Sequence, residues 1–245
     1  MNTYDGITGC YDLLMRAGYY DHQAMAKAAD AVVGDRSTFL ELGVGTGLFA
    51  KSLNESIPDC EITGVDFTPS MLEIAEERVG DTAELVEADV TSMDLGRTFD
   101  VAISSGGVWV VIEDEDEFLL GTHLDDYETD VRGLQNVSEH LEPEGLLLLS
   151  IQPMHDDFDQ PLEDGVVYSQ RVTRNDGPSD DHFTIEKQYR FARDAEVLAE
   201  EELELGFYRH QLMDQMLEQA GMAFDGVDAA GRFFVWSKEP VGVGA

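Results

Sequence analysis

A glycine-rich segment lies near the start of the chain, where Glu41 is followed by Gly43, Gly45 and Gly47 at alternate positions. Glycine has no Cβ atom, so the backbone can turn tightly there and approach a ligand closely. Nineteen residues beyond Gly47, a short apolar segment ends on Asp66. A carboxylate at that place can accept two hydrogen bonds from ribose hydroxyls. The spacing therefore indicates a site for a ligand that contains a nucleoside.

Two features of this segment distinguish between nucleoside ligands. Dinucleotide-binding loops usually read Gly-x-Gly-x-x-Gly and place the pyrophosphate at a helix N-terminus. Here the third glycine comes one residue early, and Glu41 would repel a pyrophosphate. S-adenosylmethionine, which carries an ammonium group and no phosphate, is the better match. An NAD-dependent oxidoreductase is the less favoured alternative.

An acidic residue before Gly-x-Gly-x-Gly makes the chain similar to the class I S-adenosylmethionine-dependent methyltransferases. The resemblance extends in order over about residues 37–152, through the segments GVDFTPSML (64–72), EADV (87–90), FDVAIS (99–104) and LEPEGL (141–146). It implies a Rossmann-like methyltransferase sheet of seven strands that binds S-adenosylmethionine.

The resemblance also implies that six further residues contact this cofactor: Asp66, Phe67, Met71, Asp89, Val90 and Ser105. Asp66 would hold the ribose, and Phe67 or Met71 would pack on the adenine. Asp89 and the amide of Val90 would hydrogen-bond the adenine, and Ser105 would lie under the methionine part.

Tyr11 and Tyr20, ahead of the first long predicted helix, resemble the N-terminal cap of small-molecule methyltransferases, including sugar N-methyltransferases. In those enzymes, tyrosines near the start close over the cofactor, and the resemblance implies the same here. The alternative is that these tyrosines pack a helix against the sheet edge.

Two histidines are candidates for a general base. Methyl transfer to a neutral amine can rely on positioning alone, whereas an oxygen acceptor would profit from a base. His155 follows an apolar strand, and His210 begins a predicted helix, where it could equally be a capping or surface residue. Five consecutive acids at 113–117 either attract a cationic acceptor or form a solvated face.

The order of the predicted helices and strands that would position these residues indicates an α/β fold. Strand patterns at 38–40, 61–65, 83–86, 99–104 and 146–151 alternate with helix patterns at 24–33, 47–56, 69–79 and 127–141. This order predicts a parallel sheet with helices on its faces. Gly-rich loops and acids at the strand ends would then share one edge of the sheet.

The pattern changes after residue 152. Alternating segments at 166–172, 183–191 and 198–207, with a turn signal at 174–178, predict antiparallel strands. A helix at 210–220 and a strand at 232–237 follow. We therefore divide the chain into an N-terminal helical cap (1–36), a cofactor-binding core (37–152), an inserted antiparallel lid (153–207) and a C-terminal helix and strand (208–245). Residues 166–207 of the lid are predicted to form the acceptor pocket together with Tyr11 and Tyr20; otherwise these strands extend the fold or form a homodimer contact.

Composition restricts the class of partner. The chain carries 51 acidic and 15 basic side chains, a net charge of −36. The acids are spread along the chain, as in halophilic proteins, where salt screens the self-repulsion; the alternative is an acidic surface for a basic partner. A nucleic-acid partner is disfavoured by the sign of the charge.

The sequence lacks the signals of several other functional classes. No apolar run approaches the ~20 residues of a membrane helix, and the first residues lack a secretory pattern. Two cysteines without metal-ligand spacing exclude a disulfide framework and a metal site. We therefore expect a cytoplasmic enzyme that methylates nitrogen or oxygen of a small molecule, such as a sugar. A non-catalytic S-adenosylmethionine-binding subunit is the alternative.

Overall fold

The computed structural model describes residues 3–115, 117–124, 126–179 and 181–240. The helices in these ranges are α1 (Thr8–Arg16), α2 (His22–Val33), α3 (Leu48–Ser56), α4 (Pro69–Val79), α5 (Tyr127–Glu139) and α6 (His210–Gln219). The strands are β1 (Thr38–Leu42), β2 (Glu61–Asp66), β3 (Glu84–Glu87), β4 (Phe99–Ser104), β5 (Trp109–Asp114), β6 (Glu117–Thr122), β7 (Leu141–Pro153), β8 (Phe158–Pro161), β9 (Val167–Ser179), β10 (His182–Arg193), β11 (Glu196–Arg209), β12 (Met222–Val227) and β13 (Phe233–Lys238).

Several helices begin and end where local chemistry requires it. Asp21 precedes α2, and its carboxylate accepts a hydrogen bond from the Ala24 amide at 3.0 Å. Asp126 caps α5 in the same way through the Thr129 amide at 2.9 Å. Such caps satisfy backbone donors that a helix leaves unpaired. Pro69 occupies the first turn of α4, where its missing amide hydrogen is not needed.

The central sheet has the order β3-β2-β1-β4-β7, and these five strands are parallel. It continues through the antiparallel strand β13 to β12. The order reverses between β1 and β4, which is the place where open α/β sheets bind ligands. The predicted α/β, Rossmann-like class is confirmed; β12 was not predicted.

Strand β7 shows how the core is divided between the two faces of this sheet. Leu147 and Leu149 pack in the cluster that contains α5 and α6, while Leu146 and Leu148 pack with α2 and α3. Because successive side chains of a strand point to opposite faces, a strand buried on both faces is apolar throughout. The run of four leucines marks β7 as such a strand.

A second, antiparallel layer begins at the end of β7. Residues Ile151 to Pro153 pair in parallel with Val111 to Glu113 of β5, and the pairing then runs β5-β6-β11-β10-β9-β8. The predicted antiparallel layer is therefore present, but it also includes β5 and β6, which the sequence analysis did not predict. These two strands were difficult to recognise in the sequence, because the acidic run at 113–117 interrupts the apolar pattern at the turn between them. Asp116 lies outside the described residues.

The predicted turn at 174–178 is wrong. Strand β9 continues through Ser179, and its pairing with β10 extends to His182. Arg174, Asn175 and Asp176 pair with β10, and the register then shifts before Ser179 pairs with His182. Strand pairing uses backbone groups, so polar turn-forming residues can stay in the ladder when a long neighbouring strand offers partners.

Asp130 of α5 secures the β5–β6 hairpin. Its Oδ1 accepts hydrogen bonds from the Trp109 indole at 2.7 Å and from the Thr122 hydroxyl at 2.6 Å. Burial raises the pKa of this carboxyl to about 6. A buried carboxylate that accepts two hydrogen bonds joins the hairpin to the helix at a defined position.

The two N-terminal helices pack against different parts of the fold. Helix α2 belongs to the core of the central sheet. Residues of α1 and its N-terminus, Ile7, Leu14 and Met15, pack instead against the antiparallel layer, including Tyr168 and Tyr189. Within the described residues no helix is long and apolar enough to cross a membrane, and no group of three or more His, Cys, Asp and Glu side chains could hold a metal ion.

The first prediction concerns salt. With 51 acids and 15 basic residues, most carboxylates have no cation to pair with, so repulsion must be screened by ions. We expect the melting temperature to rise steeply as KCl increases from about 0.1 M to about 1 M, where the Debye length falls from ~10 Å to ~3 Å. Calorimetry in KCl and in NaCl would measure this. A melting temperature that is flat in both salts would contradict the interpretation and favour a basic partner.

Candidate functional site

A cavity of about 930 Å³ lies at the carboxyl edge of the parallel strands. It collects segments that follow β1, β2, β3 and β4, which are distant in sequence and adjacent in the sheet. Eleven of the twelve residues predicted to contact a cofactor line it: Tyr11, Tyr20, Glu41, Gly43, Gly45, Asp66, Phe67, Met71, Asp89, Val90 and Ser105. The lining combines apolar side chains with a few carboxylates and backbone groups, as is usual for a small-molecule or cofactor site.

The twelfth residue, Gly47, does not line the cavity. It precedes α3 with φ of +77°, and a Cβ atom there would lie 3.2–3.3 Å from atoms of Ala75 and Val79. The structure therefore gives another reason for a glycine at this position. The absence of a Cβ atom at Gly47 allows α3 to approach α4 closely.

The glycine loop after β1 is packed backbone to backbone against the loop after β4. A Cβ atom on Gly43 would lie 2.7 Å from the Cα of Gly107, and one on Gly107 would lie 2.3 Å from the Leu42 carbonyl oxygen. Neither position can therefore accept a larger residue without movement of the other loop. Sequence reasoning missed Gly107; the Gly-Gly pair after the fourth strand was the available signal.

Asp66 organises the same loop. Its Oδ2 accepts a hydrogen bond from the Gly45 amide at 2.8 Å, and its Oδ1 accepts one from the Thr68 amide at 2.9 Å. Burial raises the pKa of the carboxyl, and these bonds oppose the rise. Asp66 lines the cavity with both oxygens already bonded to the backbone, so substituting it would disturb the loop as well as any ribose contact.

Glu41 is the most unusual residue of the cavity. Its side chain is 1 % exposed, and its Oε2 has no hydrogen-bond partner among the described residues. Burial, reinforced by the charge of Asp66, raises the pKa of this carboxyl well above its usual value, although a hydrogen bond with Ser105 opposes the rise. A buried carboxylate without a partner is costly, and a cationic ligand in the cavity would supply the missing partner.

Helix α1 closes the cavity near the glycine loop. The Thr46 hydroxyl donates to Asp12 Oδ1 at 2.9 Å, and Arg78 of α4 binds both the Asp12 carboxylate and the Thr46 carbonyl oxygen. Tyr11, next to Asp12, lines the cavity, and burial raises its pKa well above the usual value, so its hydroxyl stays protonated.

A second, smaller cavity adjoins the first. The two share Tyr4, Tyr20, Gly106 and His123 as common walls. The remaining walls come from β5, β6, β7, β10 and β11 and from the loop after β7, so the antiparallel layer contributes to this cavity: Val110, Gly121, Thr122, Gln152, His155, Tyr189, Leu205 and Phe207. The Tyr20 hydroxyl donates a hydrogen bond to Gln152 Oε1 at 3.0 Å. Tyr11 lines the first cavity and not the second.

The two histidine candidates have different positions. His155 lines the second cavity, and its Nδ1 lies 2.7 Å from Lys187 Nζ. His210 lines neither cavity; its ring is half exposed and its Nε2 lies 3.4 Å from Asp214 Oδ2. The prediction that His210 is a general base therefore gains no support from its position outside both cavities.

His123 is a functional candidate that sequence reasoning missed. It follows β6, lines both cavities, and its buried Nδ1 has no hydrogen-bond partner in the described part of the chain. Burial lowers its pKa to about 4, and the charge of Lys187 adds to this effect, so the ring is neutral near pH 7. Only the unpredicted hairpin β5–β6 brings it to this position.

Comparisons with known proteins agree with this geometry. Residues 39–123 match the family described as "Methyltransferase domain". The malonyl-[acyl-carrier protein] O-methyltransferase of Anoxybacillus flavithermus is 37% identical over 97 residues, which are 37% of this chain and 38% of that protein. The demethylmenaquinone methyltransferase of Deinococcus radiodurans is 40% identical over 73 residues, 29% of this chain and 30% of that protein. The chain thus aligns with about a third of the length of these curated relatives.

Solved structures match over nearly the whole chain. DesVI of Streptomyces venezuelae has a TM-score of 0.69 at 19% identity and covers 95% of this chain and 98% of its own. The sugar N-methyltransferase KedS8 of a Streptoalloteichus species has a TM-score of 0.67 at 22% identity, covering 94% and 92%. Residues 39–123 therefore match a methyltransferase domain, and the chain shares the fold of these solved structures. The antiparallel layer is part of the shared fold.

The second prediction separates stability from binding at this site. Glu41→Gln removes a buried charge, so we expect the free protein to become more stable by about 1–3 kcal/mol where Glu41 is ionised. Affinity for S-adenosylhomocysteine should fall about 10- to 150-fold, the loss of one charged hydrogen bond of about 1.5–3 kcal/mol. Calorimetry measures both quantities.

The pH dependence and a control sharpen this test. Because the pKa of Glu41 is raised, its penalty is absent in acid and appears as pH rises through that pKa. The variant's advantage in melting temperature should therefore grow toward alkaline pH. Glu73→Gln removes the same charge from an exposed position of α4 and should change neither quantity beyond the general effect of charge. Unchanged ligand affinity in Glu41→Gln would contradict the assignment.

Proposed function

We propose that this protein transfers a methyl group from S-adenosylmethionine to a nitrogen or oxygen of a small molecule, such as a sugar. The observation that carries the proposal is the buried carboxylate of Glu41, whose Oε2 has no partner among the described residues, in a cavity that Asp66 also lines. A pyrophosphate would be repelled there, and an ammonium group would be bound. The adjoining second cavity provides a place for an acceptor.

The residues of the first cavity fit S-adenosylmethionine group by group. Glu41 would bind its ammonium group, and Asp66 the ribose hydroxyls. Phe67, Met71 and Val90 offer an apolar surface for the adenine, beside the carboxylate of Asp89. When bound, this cofactor supplies a methyl group that its sulfonium activates for displacement. The protein's contribution is to align the acceptor in the second cavity and to exclude water.

The comparisons support a small-molecule acceptor. Only about a third of the length of each curated relative aligns with this chain. These relatives therefore support a cofactor-binding domain and give no information about the acceptor. The structural similarity includes the antiparallel layer that forms the second cavity, and the matched proteins include a sugar N-methyltransferase and an amino pentose methyltransferase. The acceptor side of the fold therefore favours a sugar over a carrier-protein substrate.

The direct test is a pair of titrations followed by an acceptor screen, all in high salt. We expect S-adenosylhomocysteine to bind and NADH to bind far more weakly. Amino sugars and hydroxylated sugars, incubated with labelled S-adenosylmethionine, should identify a methylated product. Tighter binding of NADH would refute the proposal, and binding without turnover on any acceptor would favour the non-catalytic subunit.

The third prediction uses His123 to distinguish the methylated atom. Its neutral Nδ1 can accept a proton from an acceptor hydroxyl. With an oxygen acceptor, His123→Asn should lower kcat by about 10²- to 10⁴-fold, the usual contribution of a general base. With an amine acceptor that binds unprotonated, the loss should stay below about tenfold, because positioning suffices.

His210→Asn is the matched control, since His210 lies outside both cavities. It should leave kcat unchanged with either kind of acceptor. A fall in kcat in the control comparable to that of His123→Asn would show that the effect does not come from the cavity.

A further inference from the structure

Lys187 of β10 is a buried cation that no carboxylate neutralises. Its side chain is 1 % exposed. Its Nζ donates to the Tyr19 hydroxyl at 2.8 Å, lies 2.7 Å from His155 Nδ1 and stands 4.7 Å from the centre of the Tyr189 ring. None of the acids in the described ranges lies within ion-pair distance of it. In a chain with 51 acids, such a cation is unexpected, because burying an unpaired ammonium is costly.

A chain of hydrogen bonds determines which of these groups donate and which accept. Gln170 Nε2 donates to the Asp156 carbonyl at 2.7 Å, so its Oε1 is the acceptor for the Tyr19 hydroxyl at 3.2 Å. The Tyr19 proton is thereby used, and its oxygen accepts from Lys187. Lys187 as an ammonium can only donate to His155 Nδ1.

With Lys187 in its charged form, His155 therefore carries its proton on Nε2. Burial lowers the pKa of His155 well below its usual value, and the charge of Lys187 adds to the shift, so the ring is neutral. Its Nε2 has no hydrogen-bond partner within the described residues. The side chain lines the second cavity, so it offers a donor there instead of a base.

The walls of the second cavity carry no negative charge. Among its described lining residues are two histidines, three tyrosines, Gln152 and Thr122, and no aspartate or glutamate. This contrasts with a protein of net charge −36. Burial also lowers the pKa of Lys187, and an anion nearby would favour its charged form.

We propose that the second cavity binds an anionic oxygen group of the acceptor, a carboxylate or a phosphate, through the Nε2–H of His155, with Lys187 as the counter-charge behind it. This rests on the proposed function, in that the second cavity is the acceptor site. Lys187 is then a positioning residue: it acts through His155 by holding the tautomer and supplying the positive charge. The acceptor belongs to the class of anionic small molecules, such as an acidic sugar or a sugar phosphate.

The test is ¹⁵N nuclear magnetic resonance of the histidine side chains, with the His155 signals identified from a His155→Gln sample. In the wild type, saturated with S-adenosylhomocysteine at constant ionic strength in KCl, we expect His155 to be neutral with the proton on Nε2. Sodium acetate or inorganic phosphate should shift its signals saturably, and acetamide, the neutral analogue of acetate, should not. Comparing acetate with phosphate distinguishes the two anion classes.

Lys187→Met keeps the length of the side chain and removes the charge. It should weaken binding of the effective anion about tenfold or more and change the His155 tautomer populations, while affinity for S-adenosylhomocysteine stays within about twofold. Lys27→Met, at an exposed position of α2, is the matched control and should behave as the wild type.

Three results would overturn the inference: no shift with acetate or phosphate, an equal shift with acetamide, or anion binding by Lys187→Met equal to that of the wild type. The first two need no variant, so they remain decisive if Lys187→Met fails to fold. Failure of the proposed function would be recognised separately, as a loss of S-adenosylhomocysteine binding in the wild type.

Discussion

The buried carboxylate of Glu41 is the constraint around which the rest of the site is arranged. It stands at the end of β1, paired in register with Gly64 of β2 and Ile103 of β4, at the reversal point of the sheet. Placing a charge there is unfavourable for folding, because water is excluded and one oxygen has no partner. Stability must come from the surrounding core, in which the strands beside Glu41 are buried on both faces.

Two buried ionisable side chains, one acidic and one basic, lie beside different cavities. Glu41 lies in the first cavity, and Lys187 lies behind the second, with His123 and Tyr20 in the shared wall. A molecule with an ammonium group and a molecule with an anionic group would therefore bind in different cavities. Because charges act strongly where water is excluded, this arrangement would order two ligands with few specific contacts.

Helix α1 joins the two halves of this arrangement. Asp12 holds the glycine loop and α4 through Thr46 and Arg78, and the Thr8 hydroxyl contacts that of Ser70 at 3.0 Å. On its other side, the helix packs its apolar residues into the antiparallel layer. A disturbance of either layer would therefore reach both cavities, which explains why the N-terminal tyrosines cannot be considered apart from the layer they pack against.

What the sequence by itself determined is the local part of this design: the α/β class, the glycine loop with Glu41, Asp66 after the second strand, and eleven cavity residues. These depend on spacing of a few residues and on the periods of strands and helices, which are readable along the chain. Only the tertiary structure decided the acceptor side. His123, Gln152 and Lys187 come from β6, β7 and β10, whose meeting depends on strand pairing across long stretches of chain. Strand periodicity shows which face a residue takes but not which distant strand lies beside it, so the second cavity exists only after the sheet has formed.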